Sequence, residues 1–208
     1  MQHPDGDPTT PGSKLQWRSQ LYAARSALSE SAREAANARL TALAARLSAL
    51  DTPGATIAAY APLGAEPGSW DLLDALGAAG ARVLLPIVAA GPARPLQWAV
   101  YHGRADMTPG RFGIPEPRGR RLDPSTIADA ALVLVPALAA DHRGVRLGRG
   151  AGYYDRTLPL ASGQLITLLY DDELVPGPLP ADAHDIAVHA ALTPGRGLVR
   201  LPLRNSDR

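Results

Sequence analysis

The stretch ALVLVPALAADHRGVRLGRGAGYYD, residues Ala131–Asp155, decides the fold. It opens on the unbroken apolar run Ala131 to Val135, the pattern of a strand buried on both faces of a parallel sheet. From Asp141 to Gly152 the chain turns rich in glycine and arginine, and a helix is expected to begin near Tyr153. In a sheet of this kind, ligands bind beyond the carboxyl ends of the strands, which is where this loop would sit. Glycine permits positive φ and close backbone approach, so successive N–H groups can point at one anion. A following helix would add its own donors. Between Asp141 and Arg156 four arginines stand against two aspartates, in a chain whose net charge is only +1. Two readings result: a solvated surface loop, or a site for a phosphate with its metal ion. The order Gly-Arg-Gly-Ala-Gly-Tyr-Tyr-Asp, behind a buried strand and ahead of a helix, favours the phosphate.

Outward from this stretch, apolar strands alternate with helical patterns. A helix is expected from Ser13 to about Leu28, with Leu15, Leu21, Tyr22 and Leu28 near one stripe and Ser13 as N-cap. A second is expected from Ser31 to Leu50, opened by the capping box Ser31-Ala-Arg-Glu34. Ser69 would cap a helix reaching about Ala79, closed by Gly80. Strands are expected at 56–60, 82–88, 96–101, 131–135, 165–170 and, more weakly, 186–192. Residues 103–125 read as a long Gly-, Pro- and Arg-rich loop. The sum is an α/β protein: a single three-layer α-β-α domain with a largely parallel sheet, over residues 13–208, preceded by a disordered arm at 1–12.

Composition narrows the function. Hydrophobic residues make up 46% of the 208, enough for a real core. The near-zero net charge gives no field favouring nucleic acid or an anionic membrane. No cysteine is present, so thiolate nucleophiles, disulfides and cysteine-based zinc sites are excluded. Any metal must be held by oxygen or imidazole. There is no apolar segment of the roughly 20 residues a membrane span needs, and the polar start carries no targeting signal. A cytoplasmic monomer is expected, with no nucleic-acid or membrane partner.

Two familiar phosphate motifs fail. No G-x-x-x-x-G-K-[ST] loop exists. The dinucleotide pattern G-x-G-x-x-G fits Gly148 and Gly150, but Tyr153 stands where the third glycine belongs. Asp171, at the end of the next strand, occupies the place of a ribose-binding acid and leaves an NAD-binding oxidoreductase as a distant alternative.

The stretch LVPALAADHRGVRLGRGAGYYDRTL resembles the signature of the 5-formyltetrahydrofolate cyclo-ligase family, and further anchors follow in family order. They are Lys14 and Arg18 as K-x-x-x-R, Glu66 in PLGAEPGSW, VLLPIV, FGIPEP from Phe112 to Pro117, and His184-Asp185. Together they run from about residue 14 to 193. Two departures stand out. Ala140 replaces the family's phenylalanine, which would widen the pocket, and Arg149 and Ala151 stand at two positions of its glycine-rich stretch.

The resemblance implies ATP-dependent cyclisation of 5-formyltetrahydrofolate to 5,10-methenyltetrahydrofolate, with ADP and phosphate released. An amide oxygen is a poor leaving group, which explains the need for ATP, and no protein nucleophile is demanded. ATP would be bound by Lys14, Arg18 and the run Arg146, Leu147, Gly148, Arg149, Gly150, Ala151, Gly152, Tyr153 and Tyr154. Arg149 would act catalytically on the transferring phosphoryl group. Arg146 is either a phosphate contact or an anchor of the loop. The folate would meet Glu66, Phe112, Arg149, Gly150, Ala151, Gly152 and Tyr153. Phe112 alternatively plugs a core gap. Asp155 and Asp185 would share Mg2+, although each also reads as an ordinary helix-start or turn acid. A non-catalytic nucleotide- or folate-binding relative is the alternative from a different class.

Overall fold

The computed structural model describes residues 12–183 and 185–203. The expected N-terminal arm, except Gly12, and His184 lie outside them. Elements run in the order α1 (Lys14–Ala27), α2 (Glu30–Ala44), β1 (Thr56–Ala58), α3 (Trp70–Ala78), β2 (Arg82–Ile87) and β3 (Gln97–Val100). Then come β4 (Met107–Pro109), β5 (Pro115–Pro117), β6 (Ala130–Val135), β7 (Ala139–Asp141), β8 (Arg146–Leu147) and α4 (Tyr153–Thr157). The chain continues with β9 (Gln164–Leu168), β10 (Leu174–Val175), β11 (Ala190–Thr193) and β12 (Gly197–Arg200). No helix among the described residues is long and apolar enough to cross a membrane.

The main sheet has the order β12-β11-β9-β6-β1-β2-β3. From β11 to β2 every pairing is parallel, and β12 and β3 add antiparallel edges. β1 is flanked by β2 on one side and β6 on the other, so chain order reverses there, and a crevice opens between the loops that leave these strands. Leu40, Leu72 and Leu76 from α2 and α3 bury themselves against one face, with Ile57, Leu85 and Leu134. The other face carries Trp98, Ile127, Val133 and Leu158, covered by 3-10 turns at Pro124–Asp129 and Leu158–Leu160 and by α4. A smaller sheet, β10-β7-β8, packs against α1 through Leu21, Leu138, Ala139, Leu147 and Leu179.

α1 starts where the sequence indicates. The Ser13 hydroxyl accepts from Gln16 N, and the Gln16 side chain accepts from Ser13 N in return, a cap contributing about 1 kcal/mol. Its buried face differs from expectation. Leu15 and Tyr22 are exposed, and the inward row is Trp17, Leu21 and Arg25, spaced by four. Leu15 and Leu21 are six residues apart, roughly 240° around a helix, and cannot share a stripe. α2 is capped by Ser29 rather than Ser31, with Ser29 Oγ accepting from Ala32 N at 3.2 Å. It ends at Ala44, earlier than expected, because the chain turns to bury Leu47 before a 3-10 turn at Ser48–Asp51.

Two segments read as loops are ordered instead. Residues 103–125 contain the β4–β5 hairpin, fixed from below by buried Glu116, whose Oε1 accepts from Val88 N. The first part of the 141–152 loop is the β7–β8 hairpin, tied by Asp141. Its carboxylate accepts from the backbone N–H of Arg143, Val145 and Leu179, at 2.9–3.0 Å, and from the Arg143 guanidinium. At Gly144 φ is +89°, and a Cβ there would lie 2.6 Å from the Val188 carbonyl oxygen, so only glycine fits. Ala140 is fully buried in β7, in the core beside Leu174, and does not widen the cleft. The weak C-terminal strand is displaced to 190–193 and pairs with the unforeseen β12.

Candidate active site

A cleft of about 300 Å³ opens at the carboxyl ends of β1, β2 and β6, at the point where strand order reverses. Its walls come from Tyr60 to Glu66 after β1, Val88 after β2, Pro136 to Leu138 after β6, the glycine loop, and Phe112 with Ile114. Glu66, Phe112, Arg146 and the run from Gly148 to Asp155 line this cleft, Arg18 is bonded to the loop at Gly148, and Lys14, Leu147 and Asp185 do not line it, Leu147 being buried against α1.

Two carboxylate–guanidinium pairs meet near the glycine loop. Glu66 Oε1 lies 3.0 Å from Arg149 Nε, and Glu66 Oε2 accepts from Leu63 N at 2.9 Å. Burial pushes the Glu66 carboxyl above its usual range, while Arg149 and the Leu63 N–H pull it back. Arg149 stays 42% exposed and Glu66 only 10%, so the guanidinium is the partner on the solvent side. Arg146 is buried, donating to Asp155 Oδ1 and, at 3.1 Å, to the Ile186 carbonyl. Of the two roles left open for Arg146, its contacts are those of an anchor. It links Asp155 to the segment next to Asp185.

The basic face of α1 completes the rim. Arg18 Nε donates to the Gly148 carbonyl at 2.9 Å, and its guanidinium packs over Gly150. Gly150 has φ +96°, and a Cβ there would press on Arg18 at 3.0 Å, so this glycine serves both turn and contact. Lys14 Nζ bridges Asp182 and Asp185 at 2.7 and 2.8 Å. Burial lowers its pKa, but the bonds and charges of the two aspartates outweigh this and raise it overall. Gly152 adopts φ +74° just before α4. α4 has only five residues, so its dipole adds little, against the expectation of a strong helix N-terminus here.

The aromatics divide the cleft. Tyr153 and Tyr154 both line it. The Tyr153 ring meets Phe112 edge-on at 6.4 Å. Phe112 is 63% exposed, which removes the core-plug reading, and it is the one non-glycine residue at positive φ (+59°) among those described. Such backbone strain costs about 1–3 kcal/mol and concentrates at ligand sites. The Tyr154 hydroxyl and Arg146 Nε are buried without a hydrogen-bond partner. Burial raises the Tyr154 pKa, as does Glu66, so the hydroxyl stays a neutral donor. Orphaned buried donors are uncommon in folded proteins, and this pair calls for an acceptor-rich ligand.

Asp155 and Asp185 are held by Arg146 and Lys14, and the described residues contain no cluster of three or more potential metal ligands. Two hard oxygen donors still suit Mg2+, which completes its shell with phosphate oxygens and water. Asp171 accepts from Gly195 N and serves a turn, so it does not play the ribose-binding acid of the NAD reading. Sequence reading missed Arg25, Tyr60 and Tyr154's orphan hydroxyl as cleft groups. No local signal marks Arg25, whose partner Glu173 lies 148 residues away.

The family model for the 5-formyltetrahydrofolate cyclo-ligase family matches residues 11–194. A Mycolicibacterium smegmatis protein named 5-formyltetrahydrofolate cyclo-ligase is 46% identical over 197 residues, covering 92% of this chain and 99% of its own. Among solved structures, Aquifex aeolicus 5,10-methenyltetrahydrofolate synthetase superposes with a TM-score of 0.72 at 28% identity, covering 92% of this chain and 94% of the other. A 5,10-methenyltetrahydrofolate synthetase from Mycoplasma pneumoniae shares the fold, with a TM-score of 0.69 at 21% identity over 88% and 99% of the two chains.

Proposed function

The chain belongs to the 5-formyltetrahydrofolate cyclo-ligase family, and on that premise we propose that it cyclises 5-formyltetrahydrofolate to 5,10-methenyltetrahydrofolate at the expense of ATP. The formyl oxygen takes the γ-phosphoryl group of ATP. N10 attacks the activated carbon, the C–O bond breaks, phosphate leaves, and N10 loses its proton. The observation that carries this reading is the cleft lined by Glu66, Arg149 and the glycine loop, with Arg18 of α1 bonded to that loop.

Each side chain then has a task. Glu66, with its partner Arg149 drawn away to the phosphate, accepts hydrogen bonds from pterin N–H groups. Phe112 and Tyr153, in contact with each other, pack together against the ring system from the apolar side. Tyr154 OH donates to an acceptor deep in the cleft, and buried Arg146 adds positive charge beneath it. Lys14 and Arg18 meet the polyphosphate, together with backbone N–H groups of the loop from Leu147 to Gly152. Arg149 stabilises charge on the transferring phosphoryl group, so catalysis here is positioning plus electrostatics. Asp155 and Asp185 would hold Mg2+. The cation supplies neutralisation of the polyphosphate charge.

We read the enzyme as a cytoplasmic monomer acting on small molecules, with residues 13–208 as its working domain. The deciding experiment is direct. Purified protein mixed with 5-formyltetrahydrofolate, ATP and magnesium should develop the near-ultraviolet absorbance of the methenyl product. Omitting ATP or the divalent cation should abolish it. Folded protein that binds both substrates yet gives no product at any pH would favour the non-catalytic relative instead.

A further inference from the structure

The Arg25–Glu173 pair makes no hydrogen bond to the groups assigned to the chemistry, although Arg25 lines the cleft and its charge acts on Glu66, and three parts of the cleft meet on it. Arg25 donates through Nε and Nη2 to both oxygens of Glu173, and Nη2 also donates to the Ala137 carbonyl at 2.6 Å. Ala137 follows β6 and lines the cleft. Glu173 Oε2 accepts from Tyr170 N at 3.0 Å. The Tyr170 hydroxyl in turn donates to the carbonyl of Ala65, the neighbour of Glu66, at 3.3 Å. The pair is therefore bonded to α1, to the end of β6 and, through Tyr170, to the loop that carries the folate-facing carboxylate.

Its place along α1 gives it leverage. Arg25 sits in the last turn and Lys14 in the first, eleven residues away, about 16 Å at 1.5 Å per residue. A small change in the angle of α1 at Arg25 becomes a large displacement at Lys14 and Arg18. Stability alone does not require this arrangement, since apolar groups of similar volume often replace a buried ion pair without loss. What apolar groups lack is direction. A guanidinium forked onto a carboxylate fixes a plane, and that plane fixes the helix.

We propose that Arg25 and Glu173 are positioning residues: they set α1 so that Lys14 and Arg18 meet the ATP phosphates while the folate wall stays in register. The proposal rests on the reaction argued above. The test replaces both partners together, Arg25→Met with Glu173→Leu, and follows unfolding alongside KM and kcat for each substrate. The expected result is a folded protein with near-parent stability, a roughly tenfold higher KM for ATP and a kcat lower by up to about a hundredfold, as misplacement by about 1 Å produces. Glu173→Gln, which keeps the shape and one carbonyl acceptor, should show the same KM shift in milder form and carries the test if the double variant fails to fold. Parent-like kinetics in a folded variant overturn the positioning role while parent turnover keeps the reaction standing. Loss of fold in both variants also overturns it, because the pair is then purely structural. A parent protein without turnover overturns both readings together.

Discussion

Two ion pairs of the same chemistry flank this cleft and behave differently. Arg25 and Glu173 are 3% and 7% exposed, and every oxygen of the carboxylate is bonded within the protein. Arg149 and Glu66 are 42% and 10% exposed, joined by one ion-pair contact and a long bond of 3.5 Å from Arg149 to the Leu63 carbonyl. The carboxylate of the first pair has nothing left to offer a ligand. The second can open on both sides, with the guanidinium taken by phosphate and the carboxylate by a pterin. Burial and bond count thus separate framework from machinery where residue type does not.

Four experiments break or sharpen the contrast. The largest effect is expected from Glu173→Ala, which strands a buried guanidinium and should cost about 3–5 kcal/mol of stability, read from urea unfolding. Arg149→Ala should leave the urea midpoint nearly unmoved and lose on the order of 2.7–4 kcal/mol of transition-state stabilisation, as removal of one preorganised donor does. An unchanged kcat would place Arg149 outside the chemistry.

The third experiment is titration. Burial raises the carboxyls of Glu66 and Glu173 above their ordinary value, so the folded state holds these protons longer than the unfolded one. Their contribution to stability is therefore fully present at low pH. It falls as pH rises from the ordinary carboxylate value through the raised one. Carboxyl carbon shifts should show Glu66 rising further in Arg149→Ala. Loss of Arg25 should raise Glu173 by more, because Arg25 supplies hydrogen bonds as well as charge. Equal shifts would erase the distinction between the pairs. The smallest effect belongs to Glu66→Gln, with stability changing by less than about 1 kcal/mol, as for a partly exposed pair. Its KM for 5-formyltetrahydrofolate should rise while its KM for ATP holds.

What the sequence made legible follows the same division. Arg149 and Glu66 sit in short runs, GRGAGYYD and PLGAEPGSW, whose composition already sets them apart. The buried apolar run 131–135 announced the parallel centre, and Ser13, Ser69 and Gly80 marked helix ends through chemistry confined to three or four residues. Arg25 and Glu173 were silent, because each looks like a surface charge until the chain brings together two positions 148 residues apart. Asp141 was silent for a related reason: its role depends on the backbone of Leu179, beyond any local window. The face of α1 was misread because Arg25, a charged residue, takes a position on the buried row, and no hydrophobic pattern reports that. Phe112 stayed ambiguous between core and ligand until its exposure and positive φ were known.

The partners of α1 have one further property: all of them lie far downstream. Arg18 bonds to Gly148, Arg25 to Ala137 and Glu173, and Lys14 to Asp182 and Asp185. Synthesis delivers α1 first and its anchors last. At about 5–20 residues per second, a helix with three basic residues waits roughly 7–30 seconds before Glu173, 148 residues after Arg25, is made. Until residues 138–147 are made, Trp17 and Leu21 on its inward row lack the Leu138, Ala139 and Leu147 against which they pack. An isolated helix of this length is marginal in water, so α1 depends on those later segments for its stability. A nascent chain stalled short of Glu173 carries the glycine loop and α1 but lacks Glu173, Asp182 and Asp185, which tie the two ends of that helix to the body.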